Sequence, residues 1–286
     1  MVKMGYVWDR TIEFLGDNIA VLLPIVLLAI FVPTSISNSL QGLQPTAAAG
    51  VKLGLGILSL GFAILSLWAQ LAIAALAIDP AIGARASRIA TARLLPAIGV
   101  YLLLLIGLLV LSLPLVALAI AGGVDVTMMR AAGAMPSFPA GVGFAIAGYG
   151  LAYLIALLFI GARLTPLTSV VVAERRGVGA IRRAFALSRG LTWKLVGVII
   201  LYVVVMLVAT LAAQTVFGSV LRLVAGGDGP VTVASVLTAV VVAAVSTAFT
   251  VLAAVFCAKL YVAIIRARDA TAPIGDPLPH DPAAAA

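Results

Sequence analysis

Six runs of apolar residues, each long enough to cross a bilayer as a helix, set the strongest limit on what this chain can fold into. A transmembrane helix needs about 20 such residues. The runs show no alternation of apolar and polar residues, which favours helices over strands as the spanning element. The sequence therefore predicts an all-α, polytopic membrane protein. Its predicted spans cover residues 19–39, 53–78, 94–122, 141–162, 195–216 and 231–264.

The composition argues against a soluble protein. Hydrophobic residues make up 64% of the 286-residue chain and charged residues only 10%, whereas soluble domains carry about 25% charged residues. The net charge is +8, but no basic patch lies on a segment that could fold in water, so nucleic acid is not an expected partner. Anionic lipid headgroups are the expected counter-charge, because the basic residues flank the apolar runs.

The distribution of Lys and Arg predicts the orientation. With six spans and the N-terminus inside, the cytoplasmic segments hold 15 of the 18 basic residues, and the far side holds only Lys52, Arg130 and Arg222. Cytoplasmic loops are enriched in Lys and Arg, so both termini are expected in the cytoplasm. We therefore expect a multi-pass protein of the bacterial inner membrane.

Three amphipathic stretches, each leading into a span, suggest an internal repeat. They cover residues 8–24, 82–99 and 178–197, and the second and third align at an offset of 96, for example Gly83 with Gly179 and Arg93 with Arg189. Each stretch is interpreted as an elbow helix on the cytoplasmic surface, followed by a span out and a span back. The predicted organisation is one domain, residues 1–268, with units 5–80, 81–163 and 173–265. Residues 269–286 are predicted to form a disordered cytoplasmic tail.

The third elbow is the most informative of the three. Apolar residues such as Ile181, Ala184 and Phe185 recur at helical spacing, and basic residues occupy the rest, which is typical of a helix in the headgroup layer. The candidate surface for lipid headgroups or a protein partner consists of Arg175, Arg176, Arg182, Arg183, Arg189, Trp193 and Lys194. The alternative is an ordinary membrane-surface elbow without specific recognition.

The spans contain few groups that could do chemistry. No acidic residue lies in the middle of a predicted span, which argues against a proton-coupled pump. Gln70 and Gln214 are candidate intramembrane polar contacts, which could bond across helices or line a solute path. Pro114 is the best kink candidate, as a packing feature or a moving part. The lone His280 lies in the tail, so no cofactor, metal site or catalytic residue is predicted, and Glu174 is interpreted as a solvated charge beside Arg175 and Arg176.

The third elbow, GVGAIRRAFALSRGLTWKLVGVIILY, resembles the membrane domain found beside glycerophosphodiester phosphodiesterases and in related stand-alone bacterial membrane proteins. That family's elbow has the form Ala-x-x-x-Ser/Thr-Arg/Lys-Gly, and Ala184, Ser188, Arg189 and Gly190 match it. The resemblance could cover residues 5–268. The enzymatic members carry a separate soluble barrel with metal-binding acidic and histidine residues. The sequence after Arg268 is too short for one, so the resemblance implies a membrane module without the catalytic domain.

Three functions remain open from the sequence. The first is a non-enzymatic module of the inner membrane that binds lipids or organises partners in lipid or envelope metabolism. The second is a transporter or permease subunit. This function is favoured by the six spans, the repeat and Pro114. The third, a lipid-modifying enzyme, lacks a plausible catalytic group.

Overall fold

The computed structural model describes residues 3–40, 48–122, 140–174, 177–225 and 232–270. These residues form helices and no strand, which confirms the all-α prediction. Six helical segments are long and apolar enough to cross a membrane, and each predicted span overlaps one of them. They are Met4–Leu40, Ala49–Ile78, Arg85–Ala121, Gly141–Ala173, Thr192–Leu221 and Val233–Asp269, numbered here as spans one to six.

The described residues form ten α-helices, two π-helical segments and one 3-10 turn. The α-helices are α1 (Met4–Val26), α2 (Val32–Leu40), α3 (Ala49–Ile78), α4 (Arg85–Ala121), α5 (Ala140–Leu164), α6 (Leu167–Ala173), α7 (Gly179–Leu187), α8 (Thr192–Ala212), α9 (Gly218–Ala225) and α10 (Val233–Asp269). The π-helical segments are Leu27–Phe31 in span one and Ala213–Phe217 in span five. The 3-10 turn, Pro80–Ile82, follows α3.

Large apolar side chains cover the outside of the bundle. Leu28, Leu95 and Phe144 are examples, and no residue is buried in the most apolar stretch of spans three and four. A soluble protein rarely exposes apolar patches of this extent. In a bilayer these side chains face lipid tails, so the surface agrees with a multi-pass membrane protein.

Both termini of the described chain lie at one end of the bundle, called the terminal end below. Trp8 of α1 packs against Phe256 of α10, and the Lys259 ammonium of α10 lies 4.4 Å from the centre of the Phe14 ring. Span six is the central element, since it packs against spans one, two and five. The end where α2 and α9 finish and α10 begins is called the opposite end.

The buried core is concentrated in the terminal half of the bundle. In α3 the buried residues run from Ala69 to Ala77, near its end, whereas the first half of that helix is exposed. The short helix α6 fills the centre of this half, with Val170 and Val171 buried between α3, α4 and α10. The Tyr101 hydroxyl lies 2.8 Å from Thr168 Oγ1 and ties α4 to α6. The sequence analysis did not predict α6 as a separate element.

The three predicted elbows differ in structure, and the threefold repeat stays a prediction. Only the third forms a separate helix, α7, which a turn at Ser188–Leu191 divides from α8. The turn needs Gly190, whose φ of +88° lies in the left-handed region that favours glycine. At the 96-residue offset the second elbow has Leu94 in this place, and α4 runs through it without a break. The first elbow is likewise continuous with α1.

The helical distortion that the structure shows in span one lies between two of its prolines, and a kink at Pro114 stays a prediction. α4 stays α-helical through Pro114, while span one is distorted between Pro24 and Pro33. Proline lacks an amide donor, so Pro33 cannot bond the carbonyl one turn earlier. A wider π turn accommodates such a break, and π turns are frequent at functional sites. The second π turn, in span five, contains Gln214.

The predicted tail lies mostly outside the described residues. Asp269 is the last residue of α10 and Ala270 follows it in a turn, so the helix extends slightly beyond the predicted boundary. Residues 271–286, including His280, are among those not described.

Candidate functional site

The first candidate surface is the basic elbow at the terminal end. Arg182, Arg189 and Lys194 are exposed, and Trp193 is 76% exposed while one edge of its ring packs on Phe159 at 5.1 Å. The opposite face of α7 is buried through Ala180, Ala184 and Leu187. It packs on α5 and α6, so the apolar face of the elbow meets the bundle rather than lipid. Arg175 and Arg176 lie outside the described residues.

Arg183 differs from the other members of the predicted surface. Its Nε donates to both carboxylate oxygens of Glu174, at 2.9 and 3.1 Å. The Glu174 side chain is 16% exposed and the Arg183 side chain 34%. Glu174 is thus not the solvated charge that the sequence suggested, because the fold places it under α7 and against α10. Arg183 serves this ion pair rather than an open surface.

Glu174 belongs to a set of polar contacts that closes the terminal end, called the terminal clamp and consisting of Glu174, Arg183, Lys259 and Tyr261. The Tyr261 hydroxyl donates to Glu174 Oε1 at 3.3 Å. The Lys259 ammonium donates to the carbonyl oxygen of Ala77 at 2.7 Å, near the end of α3, where a cation also complements the helix dipole. Through these contacts span six holds α3 and the third elbow together.

The two glutamines have different environments. Among the described residues the Gln70 amide reaches only Ser66 Oγ of its own helix, at 3.5 Å, and forms no bond to another helix. The Gln214 side chain makes no hydrogen bond with another described residue. It lines a cavity instead, and the solute path considered for this residue stays a prediction.

The cavity lies between spans one, five and six in the opposite half of the bundle, with a volume of about 770 Å³. This volume falls within the range of about 300–1,000 Å³ that is typical of small-molecule sites. Spans one and five both pack on span six, and the cavity occupies the space between them. It is lined by Thr34, Asn38, Gln214, Thr215, Gly218, Ser219, Ser235, Thr238, Ala239, Val242 and Ser246.

Local sequence explains how each span presents polar groups to this cavity. Thr34 and Asn38 are four residues apart, as are Thr215 and Ser219, so each pair shares one helix face. Span six begins with a reciprocal cap, in which Ser235 N donates to Thr232 Oγ1 and Thr232 N donates to Ser235 Oγ. This capping box fixes the start of α10 and places Ser235 at the mouth.

The cavity is blind. From Ser235 to Ser246 it follows α10 over about 16 Å, at the helical rise of 1.5 Å per residue. That is about half of a hydrocarbon core of roughly 30 Å. Beyond Ser246, Thr247, Val251 and Val255 are buried. Among the described residues the cavity therefore reaches the first turn of α10 at the opposite end and is closed toward the terminal end.

The described part of the lining is polar and uncharged. Eight of the eleven described lining residues carry a hydroxyl or an amide, and none of the eleven is ionisable. Several hydroxyls already donate to carbonyls of their own helices, as Thr215 does to Leu211, Ser219 to Thr215 and Thr238 to Ala234. A hydroxyl that donates in this way keeps lone pairs free to accept. These three hydroxyls therefore offer hydrogen-bond acceptors to a ligand.

The sequence analysis found one residue of this cavity, Gln214, and missed the others. Single Ser and Thr residues in an apolar helix usually bond their own backbone and attract no notice. The available signal was the spacing of Ser235, Thr238 and Ser246, which puts three hydroxyls on one face of span six. Their convergence with span one depends on tertiary packing.

The described residues bring no group of three His, Cys, Asp or Glu side chains together. Comparisons with protein-family models, with curated proteins and with solved structures found no match for this chain. The resemblance of the third elbow to the phosphodiesterase-associated membrane domain therefore stays a prediction. The elbow surface and the cavity are the two candidate functional sites of the described residues.

Proposed function

We propose that this chain is a non-enzymatic module of the bacterial inner membrane, with both termini in the cytoplasm, which binds anionic lipid headgroups at its terminal end. The observation that carries the proposal is the cluster of exposed Arg182, Arg189 and Lys194 around Trp193. Tryptophan prefers the membrane interface, and each basic residue near an anionic surface contributes about 1 kcal/mol.

The orientation rests on two facts. Fifteen of the 18 basic residues fall on the side assigned to the cytoplasm, and the fold collects both described termini and the basic elbow at one end. The same exposed surface would suit an acidic protein partner. The resemblance of the elbow makes lipid or envelope metabolism the context in which such a partner would act.

We predict that replacing Arg182, Arg189 and Lys194 together with Gln removes most of the anionic lipid that copurifies with the protein in mild detergent. Three contributions of about 1 kcal/mol correspond to a loss of affinity of roughly 100-fold. Mass spectrometry of the extracted lipids gives the ratio of anionic to zwitterionic lipid. Lys52→Gln, which removes an exposed cation at the opposite end, is the matched control. An unchanged ratio in the triple variant would remove the support for a lipid-binding elbow.

A transporter or permease subunit is the second candidate, favoured by the polar cavity at Gln214 and the two π-helical turns beside it. Alternating access requires the cavity to open toward the terminal end in a second state, with the terminal clamp released. A cysteine at position 246 would then react with an impermeant maleimide in both right-side-out and inside-out vesicles. Reaction from one side only would favour a binding module over a transporter.

A further inference from the structure

We propose that the cavity between spans one, five and six binds an uncharged polyhydroxyl group, of the size of a sugar, presented from the opposite end of the bundle. This inference goes beyond the lipid-binding elbow, since it concerns other residues at the other end of the molecule. It rests on the chemistry of the lining, the size of the cavity and its one-sided closure.

Charge is the first selective property of the cavity. An ion buried in a medium of low dielectric constant needs a compensating charge. None of the described lining residues provides one. The cavity therefore selects against ionic ligands, and its volume of about 770 Å³ far exceeds the space of a single bare cation.

Hydrogen bonding is the second property. The hydroxyls of Thr215, Ser219 and Thr238 donate to backbone carbonyls, which leaves their lone pairs free to accept from a ligand. A matching ligand must bring several donors of its own. The Gln214 side-chain amide adds both a donor and an acceptor, and it forms no hydrogen bond with another described residue. A polyhydroxyl group carries donors and acceptors on adjacent carbons and meets both demands.

The ligand has two possible sources with this same chemistry. A free sugar would enter from the aqueous phase at the mouth beside Ser235. The sugar headgroup of a neutral glycolipid would enter between spans one and five, which face each other across the cavity. In either case the group would reach down to Ser246, while the buried Thr247 and Val251 stop it from passing further.

The test measures protection of a cysteine at the base of the cavity. In a Cys257→Ala background, Ser246→Cys is reconstituted in phosphatidylcholine nanodiscs and labelled with a small hydrophilic maleimide. Nanodiscs expose both faces, so the result does not depend on the orientation proposed above. Leu237→Cys, on the same helix but outside the lining, is the control for lipid-facing positions. We expect fast labelling at position 246 and very slow labelling at position 237.

The rate of labelling at position 246 is then compared between different ligands at equal osmolarity. Sucrose represents the free polyhydroxyl solute, gluconate the charged polyhydroxyl group, and nanodiscs with glucosyl diacylglycerol the lipid-borne sugar. We expect sucrose or the glycolipid to slow labelling at position 246 with saturation, and gluconate to have no effect. Gln214→Leu should raise the concentration for half protection about fivefold, as expected for one lost hydrogen bond. Ala239→Phe, which fills the cavity and keeps its polar groups, should abolish protection.

Three results would overturn the proposal. One is equal labelling at positions 246 and 237, since the cavity would then not hold water. Another is free labelling at position 246 with no protection by sucrose or glycolipid, which would mean that the cavity holds water only. The third is protection that follows the salt cation or gluconate instead of the neutral probes. None of these outcomes depends on the elbow cations, so each leaves the lipid-binding proposal to be judged separately.

Discussion

Glu174 is the residue that connects the third elbow to the sixth span. It accepts from Arg183 Nε and from the Tyr261 hydroxyl, and its side chain is largely shielded from water. A charged group in such a place is stabilised only by its partners. Removing the charge therefore affects α7 and α10 at once.

Glu174→Gln should destabilise the protein by about 1–2 kcal/mol, because it leaves the Arg183 charge without its counter-ion. The value is lower than for a fully buried pair, since Arg183 is about one-third exposed and water screens the interaction. The midpoint of thermal unfolding in detergent measures the change. Glu13→Gln is the control, since it breaks an ion pair with Arg10 in which both side chains are about half exposed. Equal midpoints for the two variants would contradict the role given to Glu174.

For single residues, the sequence predicted charge and polarity but not which side chains would contact each other. The basic character of the elbow and the polarity of Gln214 could be predicted, because both follow from residue type and position. The partner of Arg183 was not, since Glu174 lies nine residues away and meets it only after α7 folds back on α6. The same holds for Lys259 and the carbonyl of Ala77, which are 182 residues apart.

Among the elements, α7 is the one whose geometry depends on a single residue. Gly190 has a φ of +88°, and the turn it allows separates α7 from α8. The other two predicted elbows have Leu94 and Ile19 near the equivalent position and remain part of long helices. The third elbow is therefore free to lie at an angle to its span, which brings Arg182 and Arg189 to the surface.

Gly190→Ala should cost about 1 kcal/mol, because a side chain is strained in the left-handed region. Gly197→Ala is the matched control, since Gly197 is inside α8 and a Cβ added there meets nothing within 4 Å. Alanine is the better helix former, so the control should be neutral or slightly stabilising. Thermal unfolding in detergent distinguishes the two. A control that is as destabilised as Gly190→Ala would mean that the turn imposes no special conformation.

The sequence predicted the long helices but not the short or distorted ones. All six spans were found, because long apolar runs leave a helix in a membrane few alternatives. The π turns at Leu27–Phe31 and Ala213–Phe217 were not, since no residue type encodes a π turn reliably. Helix α6 was missed because Pro166 separates it from α5 and its seven residues are too few for a periodic signal.

Side-chain packing differs between the two ends of the molecule. In the terminal half, α6 and the closely packed end of α3 bury most of the core and the terminal clamp closes it. In the opposite half, spans one and five each pack on span six and leave between them a cavity whose described lining is polar and uncharged. The two ends therefore differ in chemistry: a basic surface lies at one and a hydrogen-bonding cavity at the other.

We propose that both termini and the basic elbow face the cytoplasm while the cavity opens on the far side of the membrane. The most direct test is labelling with a membrane-impermeant maleimide in a Cys257→Ala background, comparing Thr238→Cys in the cavity with Asp269→Cys at the end of span six. The account predicts that position 238 reacts in intact cells and that position 269 reacts only after permeabilisation. Reaction of both positions from the same side of the membrane would contradict it.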